Sequence, residues 1–194
     1  MAHLSPNDLY TLEKYSELRN EFRQQVIKHK KDRRVALGDH AALYFEDEIT
    51  MRYQVQEMLR IEKIFEKQGI QDELDVYNPL IPDGANWKAT FMLEYTDEAE
   101  RKIALANLLG IEKTLWVQVA DCGRVNPISN EDMDRETEDK TASVHFMRFE
   151  LTDEMVAKAK AGGVISMGIE HGNYTVVVDE LAENVRRSLV GDLQ

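Results

Sequence analysis

Two short turns between strand-like segments constrain the fold of this chain more than any other feature. One turn, Gly38-Asp39, separates residues 33–37 from residues 41–45, and the other, Gly172-Asn173, lies near the end of the chain. Strands joined by so short a turn pair side by side as antiparallel hairpins. Few crossover helices separate the remaining strands. We therefore predict an α+β fold with a mostly antiparallel sheet of about five strands and packed helices.

Helical spacing of apolar residues dominates the first third of the chain. It predicts a helix before the first hairpin and a second helix over residues 49–68, ended by Gly69. The 194 residues suffice for one sizeable core, so we predict a single domain over residues 1–194. An alternative is a helical subdomain, residues 1–69, packed on an α+β part, residues 70–194.

Composition and charge exclude several classes of protein. The formal net charge of −12 repels phosphate backbones, which argues against nucleic-acid binding. A single cysteine excludes a disulfide scaffold. No apolar run approaches the roughly 20 residues that a membrane span needs, and the N-terminus lacks the organisation of a signal peptide. We expect a soluble, cytoplasmic protein without a membrane partner.

The negative charge is unevenly distributed. Between Arg19 and Arg34 there are seven cations and two acids, a local net charge of +5 that leaves −17 on the rest of the chain. Such a segment could bind an acidic partner or a phosphate group. A solvated helix face is the alternative.

An acidic residue interrupts the apolar stripe of the helix over residues 49–68. Glu62 lies within this stripe, where an unpaired carboxylate would be costly, and we expect it to be buried with a partner. Glu57 and Arg60 occupy an adjoining face of the same helix. A buried ion pair and a role in ligand binding both explain Glu62.

A second anomaly lies in the strand over residues 142–151. Alternation places His145 with Met147 and Phe149 on one face and puts Arg148 on the other. Both faces are largely apolar, so we expect a central strand covered on both sides. His145 is either a hydrogen-bonded core residue or a ligand or general base. Arg148 could pair with Glu62 or with an anionic ligand.

The segment over residues 73–88 is predicted to be a stiff loop. It combines Glu73, Tyr77, Asn78 and Trp87 with two prolines, a composition typical of a preorganised recognition loop. Turn chemistry alone also explains Asn78 and the Pro82-Asp83-Gly84 turn.

Several motifs can be tested by their spacing. The chain has no Glu-x-x-His, His-Glu-x-x-His or Cys-x-x-Cys motif. Ser129 and Asp132 resemble a capping box that begins a short acidic helix over residues 131–139. Acidic residues alternate along this segment, as they do in a calcium-binding loop. The capped helix is the better explanation, because Thr137 replaces the turn glycine that a calcium loop requires.

Three segments resemble the bacterial family known as domain of unknown function 3501. They are residues 57–62 (EMLRIE), 69–84 (GIQDELDVYNPLIPDG) and 139–150 (DKTASVHFMRFE). The resemblance extends over nearly the whole chain and implies no established activity. Members of this family are often encoded beside rubrerythrin-like proteins and iron-sulfur oxidoreductases. This context implies a link to iron or peroxide redox physiology.

Two main hypotheses of function follow. In the first, the protein binds iron, another divalent metal or a small ligand in a pocket between the helix over residues 49–68 and the sheet. The candidate metal ligands are Glu57, Glu62, Glu73 and His145. The candidate ligand-binding residues are Arg60, Tyr77, Asn78 and Arg148. In the second, it is a non-catalytic accessory partner of rubrerythrin-like or iron-sulfur redox proteins. An enzyme that uses His145 or Tyr77 as acid or base is a third.

Overall fold

The fold was derived from a computed structural model, which describes residues 3–131 and 139–194. The helices are α1 (Leu12–Lys31), α2 (Glu48–Glu62), α3 (Lys67–Tyr77), α4 (Glu98–Asn107), α5 (Asp153–Lys160) and α6 (Glu183–Val190). The strands are β1 (Arg34–Ala36), β2 (Ala41–Phe45), β3 (Asn86–Leu93), β4 (Leu115–Val119), β5 (Ile128–Ser129), β6 (Val144–Glu150), β7 (Ile165–His171) and β8 (Tyr174–Val178). A 3₁₀ turn at Asn78–Leu80 follows α3.

The strands form two antiparallel sheets. Sheet A has the order β1-β2-β3-β6-β5, and sheet B has the order β4-β7-β8. The α+β class and both predicted hairpins are confirmed. The sequence did not indicate the separate three-stranded sheet. Since β2 pairs with β3, residues 41–45 of the predicted helical subdomain belong to the main sheet.

The end of α2 differs from the prediction. The helix stops at Glu62 because Lys63 adopts a left-handed conformation, with φ of 56°, and its N–H donates to the carbonyl of Leu59. The expected burial of Glu62 is wrong, because its side chain is exposed at the end of the helix. Gly69 lies inside α3 and does not end a helix.

The predicted loop over residues 73–88 is partly helical. Residues 73–77 complete α3, and the 3₁₀ turn follows directly. The turn at Pro82-Asp83-Gly84 is present: Gly84 has a φ of 104°, which favours glycine, and the Asp83 side chain accepts a hydrogen bond from the backbone of Ala85.

Strand β6 confirms the predicted alternation. His145, Met147 and Phe149 are buried on the face toward the main core, which fills the space between the sheets and α5 and α6. The opposite face, which carries Arg148, is only half-buried. The expectation that both faces are fully covered is therefore wrong, and this outer face is available for a site.

Contacts between distant parts of the chain close the core. The Tyr174 hydroxyl on sheet B donates to the carbonyl of Leu37 at the β1–β2 turn, at 2.6 Å. The Trp87 indole N–H donates to the Leu189 carbonyl at 2.8 Å. Leu193 is buried in the same core as Trp87 and Leu189. The first hairpin and the last helix are thus parts of one packed structure.

Two other findings concern the chain as a whole. The predicted acidic helix over residues 131–139 falls largely outside the described residues. Among the helices that are described, none combines the length and the apolar character needed to cross a membrane.

Candidate ligand-binding site

A cavity of about 700 Å³ lies between α3 with its following 3₁₀ turn and the outer face of sheet A. Its volume falls in the usual range of small-molecule sites, about 300 to 1,000 Å³. The residues that line it are Asp75, Val76, Tyr77, Pro79, Leu80, Lys88, Ile128, Glu131, Phe146, Met147 and Arg148.

Strand register builds the sheet side of this cavity. Lys88 on β3 lies opposite Arg148 on β6, and Arg148 lies opposite Ile128 on β5. Directly opposed residues of antiparallel strands point to the same face of the sheet. Three neighbouring strands therefore present two cations and one apolar side chain in a single row.

Two carboxylates compensate the charge of Arg148. Its Nε and Nη2 donate to Glu131 at 2.9 and 2.7 Å, and its Nη1 donates to Glu150. The guanidinium lowers the pKa of the Glu131 carboxyl below its usual value. Arg148 thus enters the site as part of an ion-pair network rather than as an uncompensated cation.

Lys88 is held differently. Its Nζ donates to the backbone carbonyls of Pro79 and Ile81, both at 2.8 Å. Burial lowers the pKa of this lysine below its usual value, and nearby Arg148 acts in the same direction, whereas the charges of Asp83, Glu150 and Glu131 oppose the change. Within residues 3–131 and 139–194, no carboxylate oxygen lies within 4.0 Å of the ammonium. The Lys88 charge is therefore not matched by an ion pair in this part of the chain.

Apolar side chains form the rest of the cavity wall. Val76 on α3 is 64% exposed and Ile128 on β5 is 43% exposed, and Leu80 lies beside them. Exposed aliphatic residues that converge on one concavity are typical of binding surfaces. The cavity combines apolar walls with a small number of polar groups, as ligand sites usually do.

The structure brings together two of the four predicted ligand-binding residues, since Tyr77 and Arg148 both line the cavity. Asn78 has a structural role beside it: its side chain donates to the Leu4 carbonyl and accepts from the Leu4 N–H, at 3.0 and 2.8 Å. Arg60 lies on α2, where its Nη2 donates to Glu57 at 3.4 Å.

Glu57 is part of a network between α1 and α2. It accepts hydrogen bonds from the Tyr15 hydroxyl at 2.6 Å and from two nitrogens of Arg19, each at 2.8 Å. These bonds, led by those from Arg19, lower the pKa of Glu57 to about 2 although burial opposes the change. A carboxylate held in this way stabilises the packing of the two helices.

The other predicted metal ligands are dispersed. Glu62 is exposed at the end of α2, and Glu73 is half-buried on α3. His145 is fully buried in sheet A, where Nε2 lies 3.0 Å from the Thr141 hydroxyl and 3.0 Å from the Ala142 carbonyl. The described part of the chain contains no group of three or more histidine, cysteine, aspartate or glutamate side chains that could hold a metal ion.

Three of the seven cations between Arg19 and Arg34 form ion pairs within the described part of the protein. Arg19 binds Glu57, Arg33 binds Asp192, and Arg34 lies on β1 next to Glu94. Four other cations of the segment have no carboxylate within 4.0 Å among the described residues; they are Arg23, Lys28, Lys30 and Lys31. The surface available to a partner is therefore smaller than the net charge suggests.

Sequence reasoning missed Lys88, Val76 and Ile128. Lys88 was not singled out because the whole segment over residues 73–88 was predicted to be a loop, whereas β3 begins at Asn86. The available signal was the alternation that follows Lys88 in the sequence, which indicates that this lysine belongs to the strand. Its position opposite Arg148 depends on strand register, which the sequence did not supply.

The comparisons with known proteins agree with this structure. The chain is similar to a protein of unknown function from Burkholderia pseudomallei whose crystal structure has been solved, with 49% identity over 100% of both chains and a TM-score of 0.94. No curated protein matches the chain. A family model described as protein of unknown function (DUF3501) matches residues 3–193. Since the match includes nearly every residue, the chain belongs to this family.

Proposed function

We propose that this protein binds a small organic molecule in the cavity between α3 and sheet A. The observation that carries the proposal is the convergence of Val76, Leu80 and Ile128 with Lys88 and Arg148 on a concavity of about 700 Å³. Apolar walls supply affinity by removing ligand surface from water, and the polar groups orient the ligand.

This proposal keeps the prediction of a pocket between a helix and the sheet, but a different helix forms its wall. The sequence placed it against the helix over residues 49–68, whereas α3 and the 3₁₀ turn after it form the wall. The link to iron or peroxide chemistry and the redox partners stay predictions. Metal analysis and an absorption spectrum of protein purified without an affinity-tag metal test the first of them.

Two exposed aliphatic residues give a matched test of the cavity. Val76 lines the cavity and is 64% exposed, whereas Ile103 on α4 lies outside it and is 65% exposed. Replacing either residue by aspartate changes an exposed helix position, so we expect both variants to fold. Isothermal titration with 1-octanol then compares Val76→Asp and Ile103→Asp with the unchanged protein.

We expect 1-octanol to bind the unchanged protein and Ile103→Asp with equal affinity. Val76→Asp should bind at least tenfold more weakly, because a carboxylate then lies in the apolar wall. Equal binding of 1-octanol by the two variants would contradict the proposed function, and so would a failure of the unchanged protein to bind any eight-carbon probe, charged or neutral.

A further inference from the structure

The position of the Lys88 ammonium is the feature of the cavity that a purely apolar ligand would not explain. A lysine ammonium has three N–H donors. Two of them are used by the carbonyls of Pro79 and Ile81, at 2.8 Å each. No third acceptor is bonded to the ammonium among the described residues, and the side chain lines the cavity. The two carbonyls also fix the nitrogen in place, so the remaining donor has a defined direction.

The charge of Lys88 calls for an anion more than for a neutral group. Moving an ammonium out of water is costly unless an opposite charge accompanies it, and carbonyl dipoles compensate only part of that cost. Among the nearby carboxylates, those of Glu131 and Glu150 are bound to Arg148, and that of Asp83 accepts hydrogen bonds from Ala85 and Asn86. A partly buried cation thus lies at a cavity with apolar walls, with one donor that has no partner among residues 3–131 and 139–194.

The number of charges indicates which anion fits. Glu131 and Asp75 also line the cavity, so a group with two negative charges would meet more repulsion there than a group with one. A single carboxylate matches the single unpaired cation. The apolar side chains of Val76 and Ile128 then contact the body of the ligand.

Resting on the proposed function, we propose that the ligand is an organic monocarboxylate with an apolar body, whose acid group accepts the remaining N–H of Lys88. The carboxylate completes the coordination of the ammonium that Pro79 and Ile81 begin. The aliphatic or aromatic part of the ligand lies between α3 and β5.

Three probes of equal chain length test this assignment by isothermal titration of the full chain. They are octanoate, 1-octanol and octyl phosphate. We expect octanoate to bind at least tenfold more tightly than either of the others. The preference for octanoate over octanol should shrink as sodium chloride is added, since salt screens the contact with Lys88.

Lys88→Met keeps an unbranched side chain, shorter by one heavy atom, and removes the charge. We expect this variant to bind octanoate and octanol equally, with octanol affinity unchanged. The matched control is Lys102→Met, at an exposed position on α4 outside the cavity, which should keep the preference. If Lys88→Met does not fold, Lys88→Arg, which keeps the charge, and the salt series of the unchanged protein decide the question.

The outcomes separate the two proposals. Equal binding of octanoate and octanol by the unchanged protein, or a preference that survives Lys88→Met, overturns the role of Lys88 and leaves the cavity as a binding site. Tighter binding of octyl phosphate overturns the choice of a monocarboxylate. If none of the three probes binds, the proposed function itself fails.

Discussion

Arg33 and Asp192, 159 positions apart in the sequence, form a two-point ion pair: Nη2 lies 2.6 Å from Oδ2 and Nη1 lies 3.2 Å from Oδ1. The Arg33 side chain is only 2% exposed. It also donates to the backbone carbonyls of Phe45 and Glu46, at 3.0 and 2.9 Å. The pair therefore joins the end of the chain to the start of α2.

Asp192→Ala should destabilise the protein by about 3 kcal/mol, because it leaves a buried guanidinium with less compensation. The remaining carboxylate near Arg33 belongs to Asp47, at 3.3 Å, and keeps the loss at the lower end of the usual range. Urea unfolding measures the change. Glu183→Ala, which removes only exposed ion pairs on α6, is the control and should change little. Similar losses in both variants would contradict the prediction.

The Glu57 network predicts a loss of stability in acid. Because the folded state lowers the pKa of Glu57 from 4.5 to about 2, the stabilisation is complete above pH 4.5 and is lost as the pH falls toward 2. The shift corresponds to about 2 kcal/mol, after a reduction for partial solvent access.

Unfolding by urea at pH values from 6 to 2.5 measures this effect. The difference in free energy of unfolding between the unchanged protein and Glu57→Gln should shrink as the pH falls. Glu17→Gln, in an exposed pair with Lys14, should show no such trend. A pH-independent difference for Glu57→Gln would show that its carboxylate is not stabilised by Arg19.

Gly168→Ala should be destabilising by about 2 kcal/mol or more. A methyl group at this position of β7 would lie 2.6 Å from the carbonyl oxygen of Val176 and 2.5 Å from a ring carbon of Trp116. Both neighbours are fixed within sheet B. Gly172→Ala at the hairpin turn is the control, since its methyl group would meet nothing within 4 Å. Thermal unfolding of the two variants should differ clearly, and equal midpoints would argue against this packing.

His145→Ala distinguishes a structural histidine from a metal ligand. We expect a loss of about 3 kcal/mol, because the change removes a fully buried ring and its contacts with Thr141 and Ala142. Chemical unfolding and metal analysis of the same samples measure both roles. A variant of unchanged stability that loses bound metal would instead support the ligand role predicted from the sequence.

Local signals predicted much of the fold because they act over a few residues. The turn at Gly38-Asp39 set the first hairpin, and alternation along β6 placed His145 and Phe149 on the core face. Both depend only on backbone geometry and on a period of two. They needed no knowledge of the partner strands.

The end of α2 shows where such signals fail. In the sequence, Phe65 continues the apolar stripe of this helix, yet its side chain is 70% exposed. The helix stops at Lys63, whose left-handed conformation is more common for glycine and was therefore not predicted. Gly69 does not end a helix, and its role is in packing. A methyl group there would lie 2.7 Å from the Ile64 side chain, so the glycine permits α3 to pack closely. The candidate site was partly predicted through Tyr77 and Arg148, whereas Lys88 entered it through strand register.

The long-range contacts of the core also determine when the chain can fold during its synthesis. Trp87 on β3 and Leu37 at the first turn are bonded to residues 102 and 137 positions further along the chain. In a nascent chain, sheet A therefore lacks these two contacts until β8 and α6 have been synthesised. Contacts of such wide separation slow folding and extend the time during which apolar strands are exposed. Recovery of folded protein should then depend on chaperones more strongly than the modest size of the chain suggests.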